Sequence, residues 1–228
     1  MTRNKYYSIV YLLTAIAFLF CACTTEPAAP KNYPEFRESR PLSILVMPPI
    51  NRSPDIKAPA TFLATATVPL AEAGYYVIPV ALSNETFRQN GMTVAEEAQA
   101  IEFGRLREIF GADAALYITI TRFGARYQVL NSALEAEASA RLVDLRTGLE
   151  LWSSYAAVSD NSIDSLGSID SAESLIALLI HAAVSQIINT VSDSSFYVGR
   201  KANYQMLSGG DKRGNILYGQ YHPKYGED

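Results

Sequence analysis

Between Ala133 and Val143 the chain alternates with a period of two. Leu134, Ala136, Ala138, Ala140 and Leu142 fall on one side, with Glu135, Glu137, Ser139 and Arg141 on the other. Successive side chains of a strand point to opposite faces, so this run forms a strand with one dry and one wet face, as antiparallel sheets allow. The flanking runs Arg126–Leu130 and Leu149–Val158 read as its hairpin partners, joined by turn signals at Phe123-Gly124 and Arg146-Thr147-Gly148. A third strand, Ala114–Arg122, precedes them.

The first half follows another rule. Ser43-Ile44-Leu45-Val46-Met47 is a short apolar run closed by Pro48-Pro49, which should end its ladder. Ala58–Ala73 reads as a helix with Pro59 in its first turn and Gly74 at its C′ position, while Pro69 should kink or divide it. Tyr75-Tyr76-Val77-Ile78 is the next strand, so strand, helix and strand form a parallel βαβ unit. Helical segments follow at Leu82–Arg88 and Val94–Phe110, the second with a break near Gly104 and an end at Gly111. Asp170 and Glu173 form a capping box opening a helix through Val191, with His181 on its polar stripe. The expectation is an α/β fold with α+β character in its second half: an N-terminal βαβ unit continues into antiparallel hairpins, and helices pack one mixed sheet.

The N-terminus supplies an address. Arg3 and Lys5 lead into an apolar stretch from Ile9 to Phe20, followed by Cys21-Ala22-Cys23. This is the build of a secretory signal peptide, too short to span a bilayer comfortably. With Ala22 at −1 and Cys23 at +1 the segment resembles the lipobox of bacterial lipoproteins, although Phe20 stands where Leu is usual. That resemblance implies removal of residues 1–22, lipidation of Cys23 with palmitate among the acyl chains, and, because Thr24 rather than Asp follows, sorting to the outer membrane on its periplasmic side. Both cysteines lie in this segment. The mature domain therefore has no disulfide to lean on, even where the compartment would permit one.

From Thr24 to Pro41 the chain carries Pro27, Pro30, Pro34 and Pro41. This composition favours an extended tether, reaching roughly 55 Å if fully extended or about 20–25 Å as a coil. The organisation read from the sequence is a signal peptide at 1–22, an anchor and tether at 23–41, an α/β domain at 42–195 and a Tyr/Gly-rich tail at 196–228. In the tail, Tyr204, Tyr218, Tyr221 and Tyr225 are rigid amphipathic side chains of the type enriched at interfaces; a tail laid back on its own domain is the other reading.

Chemistry is sparse. A nucleophile elbow, a Walker loop, a dinucleotide turn and a zinc-protease helix are all absent from the sequence. With His181 and His222 as the two histidines, no metal site is expected, and no cofactor. Glu135 and Glu137 share a face but read as solubilising charges. Removing Arg3 and Lys5 takes the formal charge from −4 to −6, which argues against nucleic acid as a partner. Asn51-Arg52-Ser53 lies just beyond the first strand, where open α/β sheets place ligands, and is the candidate ligand or partner loop; an ordinary Asx turn is the alternative.

Four stretches together resemble a bacterial lipoprotein family of unknown function, and more weakly the TolB amino-terminal domain and the curli-secretion lipoprotein. They are Met47–Ser53, Gly74–Val80, Gly111–Tyr117 and Asp144–Trp152, the last carrying Asp144-Leu145-Arg146-Thr147-Gly148. The resemblance implies a TolB-like α/β domain in a periplasm-facing outer-membrane lipoprotein, with no catalytic residues to carry over. The function expected is a non-enzymatic accessory or interaction subunit of an envelope assembly or export system, meeting the membrane through its lipid and an envelope protein, or a second copy of itself, through a sheet edge or the tail. The alternatives are an oligomeric pore-forming secretion subunit and a periplasmic ligand binder or enzyme using the Asn51-Arg52-Ser53 loop.

Overall fold

In the computed structural model, residues 33–128, 131–161, 194–210 and 215–227 are described. The first element is a short helix, α1 (Pro34–Ser39). Two short strands, β1 (Ser43–Val46) and β2 (Ile50–Asn51), precede the long helix α2 (Ala58–Glu72) and strand β3 (Tyr76–Val77). Helices α3 (Val80–Gln89), α4 (Ala95–Gln99) and α5 (Phe103–Phe110) lead to three long strands, β4 (Ala114–Gln128), β5 (Asn131–Asp144) and β6 (Glu150–Asn161). Helix α6 (Ser194–Leu207) is the last regular element described.

The strands form one six-stranded mixed sheet ordered β3-β1-β4-β5-β6, with β2 also pairing β4. β1 runs parallel to β3 and β4, whereas β4, β5 and β6 are antiparallel. The expected α/β plan with a βαβ start and antiparallel second half is the plan observed. Its period-two run behaves as read: Leu134, Ala136, Ala138, Ala140 and Leu142 are buried and Ser139 and Arg141 exposed.

Two apolar clusters flank the sheet. On one face Ile44, Val46, Leu116, Ile118 and Ile120 meet α2 and α6 through Phe62, Leu70, Val198 and Met206. On the other, Leu45, Met47, Tyr117 and Val143 are covered by Phe87, Ala98 and Leu106 of α3, α4 and α5. This second layer stops short, leaving the far part of β4, β5 and β6 with the polar face that the alternation predicted.

Several local expectations are corrected. Pro69 does not divide α2, which is one helix, and the proline sits buried in its last turn. Pro48-Pro49 interrupts the first ladder without ending it: Ile50 and Asn51 pair with Thr119 and Ile120 just beyond. The break before α5 falls at residues 100–102, and Gly104 lies inside the first turn. Phe123-Gly124 is no turn. β4 passes straight through it, with a register shift between Ile120 and Arg122 and Gly124 at φ +107°, where a Cβ would sit 3.1 Å from the Asp55 carboxylate. The glycine lets the strand continue while another loop presses against it.

The folded part reaches past both ends of the expected 42–195 domain. Within the tether expected at 23–41, Pro34–Ser39 is helical, with Phe36 buried and stacked 6.4 Å from Tyr75. Proline at the start of a helix costs it no hydrogen bond, so counting prolines misled. The tail was begun at residue 196, but α6 occupies its first part and buries Val198, Ala202, Asn203, Met206 and Leu207. The capping-box helix through Val191 and His181 lies outside the described residues.

Candidate functional site

Among the concave surfaces of the described residues, two adjoin the residues singled out from the sequence. The larger, about 640 Å³, opens beyond the carboxyl end of β1, the edge at which open α/β sheets bind ligands. One wall is Pro48, Pro49 and Asn51; a second is the α2 stripe Pro59, Ala60, Leu63 and Ala64; a third is the α3 stripe Val80, Ala81, Asn84 and Arg88. Met92, Thr93, Ala95 and Glu96 close the end. The spacings within each helix are those of one helical face.

Its position follows from local bonding. The Gln99 amide of α4 donates to the Pro48 carbonyl at 2.8 Å, holding α4 against the proline wall. Asn51 accepts from the Ser53 backbone N–H at 3.0 Å and the Ser53 hydroxyl at 2.7 Å, and its own amide donates to the Asp55 carbonyl at 2.8 Å. The Asn51 side chain is therefore committed to an Asx turn that leads into α2. Arg52 projects outward and pairs with Glu96 at 3.5 Å across the groove rim, and Arg88 pairs with Glu85 at 2.8 Å. Rim charges thus compensate one another, and the walls are mainly apolar, with Asn84 the polar exception on α3. Ile56, on the lining, is 91% exposed.

The smaller concavity, about 340 Å³, lies between α1 and the C-terminal segment. That segment is stitched to the domain: the Tyr75 hydroxyl donates to the Leu217 carbonyl at 2.6 Å, Gly219 N–H to Ala73 at 2.8 Å, and Tyr221 N–H to Gly74 at 3.2 Å. Gly74, at φ +91°, makes this possible, since a Cβ there would sit 2.5 Å from the His222 nitrogen. Tyr218 stacks on His222 with ring centroids 3.9 Å apart. Tyr218 and Tyr225 line the concavity with Arg37 and Arg40, whereas Tyr204 is half-buried on α6 away from that lining. Tyr221 and Tyr225 remain exposed. Among the four tyrosines singled out from the sequence, then, two face outward and two pack inward. Cys23 lies outside the described residues.

Asp144 is the one charged side chain buried among the described residues. Burial is the largest influence on its carboxyl and would raise the pKa, but hydrogen bonds from Ser39, Thr147 and Arg146 outweigh it and hold the pKa below the usual value. Those bonds explain the Asp-x-x-Thr-Gly pattern. Asp144 Oδ1 accepts from the backbone N–H groups of Arg146 and Thr147 at 2.7 and 2.9 Å, and Gly148, at φ +75°, closes the turn. The carboxylate builds a hairpin and ties it to α1 through Ser39 at 2.5 Å.

The groove walls were missed in the sequence, although a signal existed. From Ala58 to Ala71 the helix carries no charged residue, so the face turned away from the core is as uncharged as the face turned toward it.

Comparison with known proteins gives a consistent set of relatives. Residues 31–221 match the family described as "Putative lipoprotein GNA1162-like". The chain is 44% identical over 194 residues to "Putative lipoprotein NMB1124/NMB1162" of Neisseria meningitidis serogroup B, covering 85% of this chain and 87% of that one. The crystal structure of lipoprotein GNA1162 from Neisseria meningitidis aligns with a TM-score of 0.51 and 48% identity over 65% of this chain and 99% of that one. Likeness to the LpoB C-terminal domain from Salmonella enterica is much weaker, at 20% identity and a TM-score of 0.35 over 51% of this chain and 81% of that one.

Proposed function

The chain belongs to the GNA1162-like lipoprotein family, and from that membership we propose that Cys23 anchors it to the periplasmic face of the outer membrane, where it serves as a non-enzymatic accessory subunit of an envelope assembly or export system. The observation that carries the interaction role is the groove. Its α2 wall is an uncharged helix face, exposed at Ala60 and Ala64 and half-buried at Pro59 and Leu63, and contiguous accessible apolar surface of this kind marks places where proteins meet. Its rim arginines are spent on Glu96 and Glu85, so what enters it is an apolar segment of a partner.

A binding role also fits what the polar groups do. Asn51 is consumed by its turn and Asp144 by its hairpin, which leaves the groove walls shape and apolar surface to offer. Photo-crosslinking in intact cells tests the reading. A crosslinkable residue at Ile56 should trap a discrete envelope protein, and Leu63→Asp should abolish that adduct while the thermal midpoint changes by less than a core substitution would. Adduct formation unaffected by Leu63→Asp, or no adduct at native abundance, would sink it.

A further inference from the structure

The smaller concavity has a different chemistry from the groove. Its lining includes Arg37 and Arg40 together with Tyr218 and Tyr225, and no acidic residue is among the described residues that line it. On a chain whose formal charge is −4, this is a local reversal of sign. Two arginines on one lining with phenol donors close by are suited to a phosphate-type oxyanion.

The backbone adds a second observation. Arg40 has φ +48°, the one non-glycine residue with positive φ among those described, and it caps α1 where glycine is the ordinary choice. Gln220 of the tail donates to its carbonyl at 3.0 Å, and Arg40 Nε donates to the Arg37 carbonyl at 3.1 Å. Arginine is thus held at a position where backbone preference selects against it, which points to a use for its side chain.

Location supplies the occupant. Nine residues separate Cys23 from Tyr33, ten Cα steps that span at most about 36 Å when fully extended. Tyr225, which lines the concavity, is 44% exposed, and Tyr221, four residues before it, is 68% exposed; tyrosines of this kind settle at the headgroup level of membranes. We infer that the Arg37–Arg40 pocket binds the phosphate of an anionic phospholipid headgroup in the membrane that carries the anchor, and so sets which face of the domain looks away from it. This rests on the anchoring of Cys23 proposed above. A short tether supplies an effective concentration in the millimolar range, so a weak site suffices despite the acidic body.

The test uses the chain from residue 24 onward, which keeps every described element and carries no lipid. It is floated with vesicles of phosphatidylcholine alone or mixed with phosphatidylglycerol, at millimolar lipid. The expected result is retention on the mixed vesicles alone, reduced at least five-fold in the Arg37→Gln/Arg40→Gln double variant. Arg40→Gly is the decisive second variant. Glycine suits the backbone there, so its thermal midpoint should hold or rise while retention falls. Equal retention of wild type and both variants, or indifference to phosphatidylglycerol, would overturn the inference. Binding of inorganic phosphate without vesicle retention would overturn it as well, in favour of a soluble anion. Because Ile56 and Leu63 lie outside this pocket, the groove adduct should survive Arg40→Gly, and each reading can fail alone.

Discussion

Asp144 shows how one residue joins sequence pattern to fold stability. Its carboxylate is buried, yet three hydrogen bonds favour the charged form more than burial opposes it, so its folded pKa lies below the ordinary 3.8. A depressed carboxylate contributes stability that is complete above the unfolded pKa and is lost as pH falls through the folded value. Asp144→Asn should therefore cost about 1–3 kcal/mol at pH 7, the range for a charge-assisted hydrogen-bond group inside a fold. Urea unfolding at pH 7 and again near pH 3 measures it: the two proteins should differ clearly at the first and converge toward the second. A gap that stays constant with pH would mean that packing, not charge, is at stake. This residue was visible in the sequence as the start of Asp-x-x-Thr-Gly, because an Asx turn is written entirely in local residues. Its bond to Ser39 was not, since 105 positions separate the partners.

At the scale of elements, α6 is the piece that sequence patterning hid. Val198, Ala202 and Met206 recur every four residues, but tyrosines and glycines around them made the segment look like tail. Two contacts dock it. The Asn203 amide donates to the Phe62 carbonyl at 2.9 Å and to the Thr65 hydroxyl at 2.7 Å, and Gly199 lies so close to α2 and β4 that a Cβ would stand 2.7 Å from Thr61 Cγ2 and 2.9 Å from Phe123 Cε2. Alanine at 199 would gain about 1 kcal/mol of helix propensity and lose more to overpacking, which costs roughly 1–3 kcal/mol. A net loss of about 1–2 kcal/mol is expected for Gly199→Ala by chemical denaturation. An increase in stability would mean that α6 does not sit against α2 as described. Asn203→Ala should cost about 1–3 kcal/mol in the same assay through loss of its two buried hydrogen bonds, to the Phe62 carbonyl and the Thr65 hydroxyl.

For the whole molecule, the anchor and the assembly state remain the testable proposals. Cys23→Ser should abolish incorporation of labelled palmitate and move the protein out of the membrane fraction, as loss of an acyl anchor requires; persistence in that fraction without label would argue for an uncleaved leader. Detergent extraction of the native protein should give a monomer or dimer in sedimentation. A large ring surviving detergent would favour the pore reading instead, which the described β4-β5-β6 hairpins do not suggest, because α6 packs on β5 and β6.

Local pattern is enough for the long strands and α2, the parallel start and antiparallel continuation, and the hairpin turn at residues 144–148, because period, proline and Asx chemistry act between near neighbours; it is not enough for α1 or α6. Tertiary structure alone decided where the domain begins and ends, that β4 runs through Gly124, and that two stripes from α2 and α3 face each other across a groove. Each of these depends on contacts between residues far apart in the chain. A helix face carries the same residues whether it lies open or covered, and only packing decides which.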